Sequence, residues 1–110
     1  MPKKIDQANF KNEVIETASL NIVQFKSEWN GACQIIAPVY EELAKYYEGM
    51  AKFFVTDIET ETNLEKEYRI YELPTILFFK RGLIVDYAIG LTPKNILISK
   101  IENAIAAVEY

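Results

Sequence analysis

Two apolar runs, Leu20–Lys26 and Lys52–Asp57, have a helical pattern between them and a hairpin signature after them. This order leaves few folds open. Leu20, Ile22, Val23 and Phe25 are too closely spaced for a half-exposed strand, so the first run reads as a strand covered on both faces. Phe53, Phe54 and Val55 make the second such strand. Between them Ile36, Val39, Tyr40, Leu43 and Tyr47 recur at three and four, which predicts a helix over 31–47 with one apolar stripe. Pro38 lies inside it, cannot donate to the Gln34 carbonyl and predicts a kink. Glu48-Gly49 ends it.

The flanks complete the pattern. Asp6 or Asn9 is a candidate cap for a short first helix over Phe10, Val14 and Ile15. A polar helix is predicted over 62–68, with Leu64 and Tyr68 facing inward. Residues 74–80 contain Ile76, Leu77, Phe78 and Phe79 and read as a strand. Arg81-Gly82 is a tight turn, and Leu83–Ile89 returns as its hairpin partner. Thr92 reads as an N-cap with Pro93 at the first helical position. The last helix is expected to bury Leu97, Ile101, Ala104, Ile105 and Val108. Helices alternating with early strands, then a hairpin and a closing helix, describe an α/β fold. Its mixed central sheet has helices on both faces, and 1–110 is a single domain by length.

Composition removes several kinds of chemistry. Histidine is absent, which excludes His-based triads and His-metal sites. Cys33 is the only cysteine, so there is neither an internal disulfide nor a structural zinc site. The four glycines are scattered and form no phosphate-cradling loop. No metal or cofactor is expected. The acidic stretch Asp57, Glu59, Glu61, Glu65, Glu67 lacks the spacing of a calcium loop and reads as a solvated face. With a net charge of −4 and only the short basic pairs Lys3-Lys4 and Lys80-Arg81, nucleic acid is not an expected partner. No apolar run is long enough to span a membrane. The start Met1-Pro2-Lys3-Lys4-Ile5-Asp6 has no apolar core behind its basic residues and does not resemble a secretory signal, so the expected location is the cytoplasm.

The segment Glu28-Trp29-Asn30-Gly31-Ala32-Cys33 leads into the long helix. With Pro38, Leu73-Pro74-Thr75, Phe78-Phe79-Lys80-Arg81-Gly82 and Gly90, it resembles the thioredoxin family over nearly the whole chain, from about Phe10 onward. The resemblance implies a thioredoxin fold, a cis peptide before Pro74, and a groove for an extended peptide. That groove would lie between the Trp29, Asn30, Gly31, Ala32 and Cys33 turn, Leu73-Pro74-Thr75, and Gly90. It also exposes departures. Where the family carries Trp-Cys-Gly-Pro-Cys, this chain has Asn30 for the first cysteine and Ala32 for the proline. Gln24 stands where the family has a buried aspartate, and Val55 replaces a lysine on the next strand.

Dithiol exchange needs one thiolate to attack and a second thiol to release the mixed disulfide. Asparagine supplies neither. If the helix starts at Gly31, Asn30 is its N-cap, and its side-chain oxygen can accept the N–H of Ala32 or Cys33. Cys33 then has two readings: a buried small hydrophobe, or a thiol that reacts once its pKa is lowered. Trp29 at the mouth of the turn is a candidate partner contact. The expected function is a non-catalytic binding module for a protein or extended peptide, not a competent disulfide reductase. The alternative is a single-thiol redox protein acting through Cys33 in thiol–disulfide exchange or mixed-disulfide formation.

Overall fold

A computed structural model describes residues 1–107. Its strands are β1 (Lys3–Lys4), β2 (Leu20–Lys26), β3 (Lys52–Asp57), β4 (Thr75–Lys80) and β5 (Leu83–Ile89). Its helices are α1 (Gln7–Phe10), continued by a π-helical turn over Lys11–Ile15, then α2 (Gly31–Tyr46), α3 (Thr62–Glu67) and α4 (Lys94–Ala106). The five strands form one mixed sheet in the order β1-β3-β2-β4-β5. β3 runs parallel to β1 and β2, whereas β4 is antiparallel to β2 and β5.

The double burial of β2 follows from its alternation. Ile22 faces a core with Ile36, Tyr40, Phe78, Leu97 and Ile101, under α2 and α4. Val23 and Phe25 face a second core with Phe10, Phe54, Leu64 and Phe79, under α1 and α3. Phe10, Phe25 and Phe79 meet Tyr68 in tilted or edge-on ring contacts. Burying one such ring contributes about 2–3 kcal/mol, against about 1 kcal/mol for a helix cap. Packing therefore seats the helices, and the caps trim their ends. Within α2 the Tyr40 hydroxyl donates to the Phe54 carbonyl at 2.6 Å, tying the helix to the main chain of β3.

Several details differ from the sequence-based expectation. Asp6 and Asn9 act together: Asp6 caps α1 and Asn9 answers it in a capping box. β1 was not expected. Its side chains are exposed, and it exists through main-chain pairing with Phe54 and Val55, extended by the Ile5 N–H donating to the Val55 carbonyl at 2.9 Å. Thr92 does not cap α4. Its hydroxyl donates back to the Gly90 carbonyl at 3.1 Å, and Pro93 takes the cap position with extended ψ. Ile105 is half-buried at the rim of the core rather than inside it. Val108 lies outside the described residues.

β5 is an edge strand with one bulge, opposite Phe78/Phe79. The Gly90 N–H donates to the Pro74 carbonyl at 2.7 Å. By alternation, the main-chain groups of Ala88 and Asp86 also face β4, and those of Tyr87 and Ile89 point outward. The outward Tyr87 N–H is taken by Asp86 Oδ1 at 2.8 Å, and Lys100 Nζ holds the same oxygen at 3.1 Å.

Candidate functional site

One end of the sheet gathers the residues singled out in the sequence. Thr75 at the start of β4 lies opposite Phe25 near the end of β2 and opposite Ile89 at the end of β5. The chain leaving β2 folds over Ser27, whose buried hydroxyl donates to Glu59 at 2.5 Å. The Trp29 and Asn30 amides turn back on Ser27, donating to its Oγ at 3.4 Å and to its carbonyl at 3.3 Å. This fold-back leaves Trp29 83% exposed. Asn30 is extended (φ −83°, ψ 125°), and its side-chain oxygen accepts the Cys33 N–H at 2.9 Å. Asn30 is therefore the N-cap of α2 and satisfies the third helical amide, one of the two candidates. Gly31 is exposed, Ala32 is half-buried and Cys33 is 3% exposed.

On the other side of this end, the Leu73–Pro74 peptide is cis, and Pro74 is tied to Gly90 by the hydrogen bond already described. The backbone at Gly90 favours glycine. Its φ is +78°, and a Cβ there would collide with the Glu72 carboxylate. Glu72 and Tyr71 carried no motif, and reasoning from sequence passed over both. Tyr71 is 89% exposed. Their only signal in the sequence is that they precede Leu73-Pro74.

The thioredoxin family model matches residues 1–103. The chain belongs to the thioredoxin family. It is 35% identical over 105 residues to a thioredoxin of Rickettsia felis, covering 96% of this chain and 100% of that one. It is 33% identical over 100 residues to a thioredoxin of Synechocystis sp., covering 91% and 94%. The crystal structure of Malassezia sympodialis thioredoxin (Mala s 13) superposes with a TM-score of 0.88 at 26% identity, covering 96% of this chain and 92% of that one.

Two of the residues singled out in the sequence lie side by side. Gln24 and Val55 are direct partners across β2 and β3. Together with Cys33, Tyr40, Lys26 and Ser27 they line a cavity of about 410 Å³ behind the turn. Of the candidate residues, Cys33 alone lines this cavity. Gln24 is 2% exposed, and its Nε2 has no hydrogen-bond partner. Burial pushes the Cys33 thiol pKa up, and a Ser27 backbone hydrogen bond and the Lys26 charge offset this only in part. Lys26 is itself engaged with Glu28 at 2.7 Å. Burial thus disfavours the thiolate, the form a nucleophile needs.

Among the described residues no group of three or more His, Cys, Asp or Glu is placed to hold a metal ion. No helix among them is long and apolar enough to cross a membrane.

Proposed function

We propose that this thioredoxin-family chain is a binding module that holds an extended protein segment and performs no dithiol exchange. The segment would lie in the groove bordered by Trp29, Asn30, Gly31, Ala32, Leu73, Pro74, Thr75 and Gly90, with the cytoplasm as the setting and neither nucleic acid nor membrane as partner. The observation that carries the reading is Asn30. A neutral amide holds the helix N-terminus where the family's attacking thiol stands, and it is engaged with the Cys33 amide at 2.9 Å. A groove that grips main chain needs no thiol, so losing the nucleophile removes chemistry and leaves recognition intact. The altered Gln24 and Val55 support the reading, because the proton-handling side of the exchange machinery has changed along with the nucleophile.

Reductase-coupled reduction of a protein disulfide tests this, with a dithiol thioredoxin as control. No sustained turnover is expected. Turnover close to the control, lost on Cys33→Ser, overturns the binding-module reading.

A second reading, a single-thiol protein forming mixed disulfides through Cys33, is favoured by one observation: Cys33 lines the cavity behind the turn. A small disulfide entering there would exchange with the Cys33 thiolate. The new S–S bond would join Cys33 to half of the reagent, and the other half would leave as a thiolate. Mass spectrometry of the native chain after incubation with oxidised glutathione decides the matter. A stoichiometric adduct at Cys33 in the folded state supports this reading, and an adduct formed only in denaturant removes it.

A further inference from the structure

We propose that Glu72 sets the charge preference of the groove, and that the segment bound there carries a lysine or arginine side chain; this rests on the binding-module reading above. Three observations carry it. First, the Glu72 main chain is fixed next to the cis-proline, because the Thr75 hydroxyl donates to its carbonyl at 2.6 Å. Second, its carboxylate lies over Gly90, on the strip of main chain that the Gly90–Pro74 hydrogen bond joins. Third, among the described residues no hydrogen bond or ion pair holds that carboxylate, whereas its counterparts at this end of the sheet are engaged. Glu28 is engaged with Lys26, Glu59 accepts from Ser27, and Glu61 accepts from the Gln7 amide at 2.8 Å. The unengaged charge therefore sits on the groove, and it is negative.

The surroundings suit a long basic side chain. Tyr71 is 89% exposed immediately before Glu72, and Leu91 is 54% exposed immediately after Gly90. The aliphatic stem of a lysine or arginine can lie along such surface while its head reaches the carboxylate. Arginine adds a two-point match to carboxylate geometry. An acidic side chain at the same place would face Glu72, with which no cation among the described residues pairs to offset the repulsion. Charge complementarity thus selects a basic segment from among extended segments in general.

The test uses the full chain and a set of short fluorescent peptides of one apolar sequence, with Lys, Arg, Gln or Glu at the central position. Binding is read by anisotropy at low and high salt. The Lys and Arg peptides are expected to bind about fivefold tighter than the Gln peptide, a ratio that fits an exposed charge pair. The Glu peptide should bind weakest, and salt should narrow the spread. Glu72→Gln should erase the preference while the Gln peptide binds as before, and Glu72→Lys should invert it. A preference that survives Glu72→Gln overturns the assignment to this residue. Equal binding of all the peptides by the unaltered chain overturns the inference and leaves the binding-module reading standing. Binding of none of them overturns both. Glu72 is exposed, and an unchanged thermal midpoint of each variant shows that a lost preference is not lost folding.

Discussion

The Asn30 side-chain oxygen accepts the Cys33 backbone N–H at 2.9 Å, so the cap of α2 holds the main chain of the single cysteine. A thiolate would occupy the same helix N-terminus as a charge, whereas Asn30 occupies it as a neutral acceptor.

Removing that acceptor should cost the stability of a typical cap. Asn30→Ala is expected to lower the unfolding free energy by about 1 kcal/mol, and Asn30→Asp to retain most of it. Urea unfolding of the three proteins measures this. A midpoint unchanged in Asn30→Ala contradicts the role of the cap.

Cys33 should alkylate slowly in the native state. It is 3% exposed, and burial raises its pKa above the ordinary thiol value. At pH 7 the native labelling rate is expected to fall far below the rate in denaturant and to climb with pH. The linkage has a definite sign. A raised thiol pKa means that the folded state keeps its proton while the unfolded chain loses it, so stability is full below the ordinary thiol range and declines as pH rises through it. Cys33→Ala should flatten that decline. A native rate matching the denatured one at neutral pH would favour the single-thiol reading.

Three tyrosines extend the alkaline sensitivity. Tyr47 is pushed up to about 12, by burial first and then by the Glu102 carboxylate that accepts its hydroxyl at 2.7 Å. Tyr68 is pushed up to about 12, by burial first and then by Glu67. Tyr40 is raised as well, by burial above all. Below the ordinary tyrosine value of 10 their contribution is intact. Between that value and about 12 the unfolded chain ionises first, and stability falls. Thermal midpoints measured across this range should drop for the unaltered chain and drop less for Tyr47→Phe. Identical slopes would mean that Tyr47 does not hold its proton as described.

Gln24 buries an amide nitrogen that has no acceptor. Replacing it with methionine, similar in length and free of that donor, should raise the unfolding free energy by about 1 kcal/mol, the lower end for an unsatisfied buried group. A lower denaturant midpoint in Gln24→Met would show that the amide is satisfied in solution.

Restoring the first thiol should restore little activity by itself. Asn30→Cys gives Cys-Gly-Ala-Cys, the family's two-residue gap, and the disulfide should close. Gln24, however, cannot take a proton from the second thiol, and Ala32 lacks the ring that stiffens the turn. Gln24 and Cys33 line the same cavity, so adding Gln24→Asp places a titratable group in that recess and should raise the rate further. Insulin reduction by the single and double variants from pH 6 to 9 makes the comparison. Full activity in Asn30→Cys alone would confine the loss to one residue.

What the sequence revealed and what it hid have physical reasons. β2 and β3 were legible because strands buried on both faces cannot alternate with polar residues, and Ile22, Val23 and Phe25 reach opposite cores. The Asn30 cap was legible because capping is local, spanning three residues. β1 was hidden because its lysines carry no apolar signal and its pairing is made by main chain. Thr92 misled because a hydroxyl beside a proline fits two local arrangements, and the turn after Gly90 chose the other one. The cavity shared by Gln24, Val55 and Cys33, and the Glu72 carboxylate over Gly90, bring together residues distant in the chain, which no local pattern records.

The margin of the sheet has a consequence for how the molecule behaves in a crowd. Val85, Tyr87 and Ile89 are each about half exposed along β5, and such an edge invites another extended chain to add to it. One of the outward amides on this edge, that of Tyr87, is already taken by Asp86, and Lys100 Nζ holds the same Asp86 oxygen. A visiting strand meets an interrupted ladder. Asp86 and Lys100 are therefore expected to limit association along this edge. Their loss is expected to appear as light scattering in concentrated samples well before any fall in melting temperature.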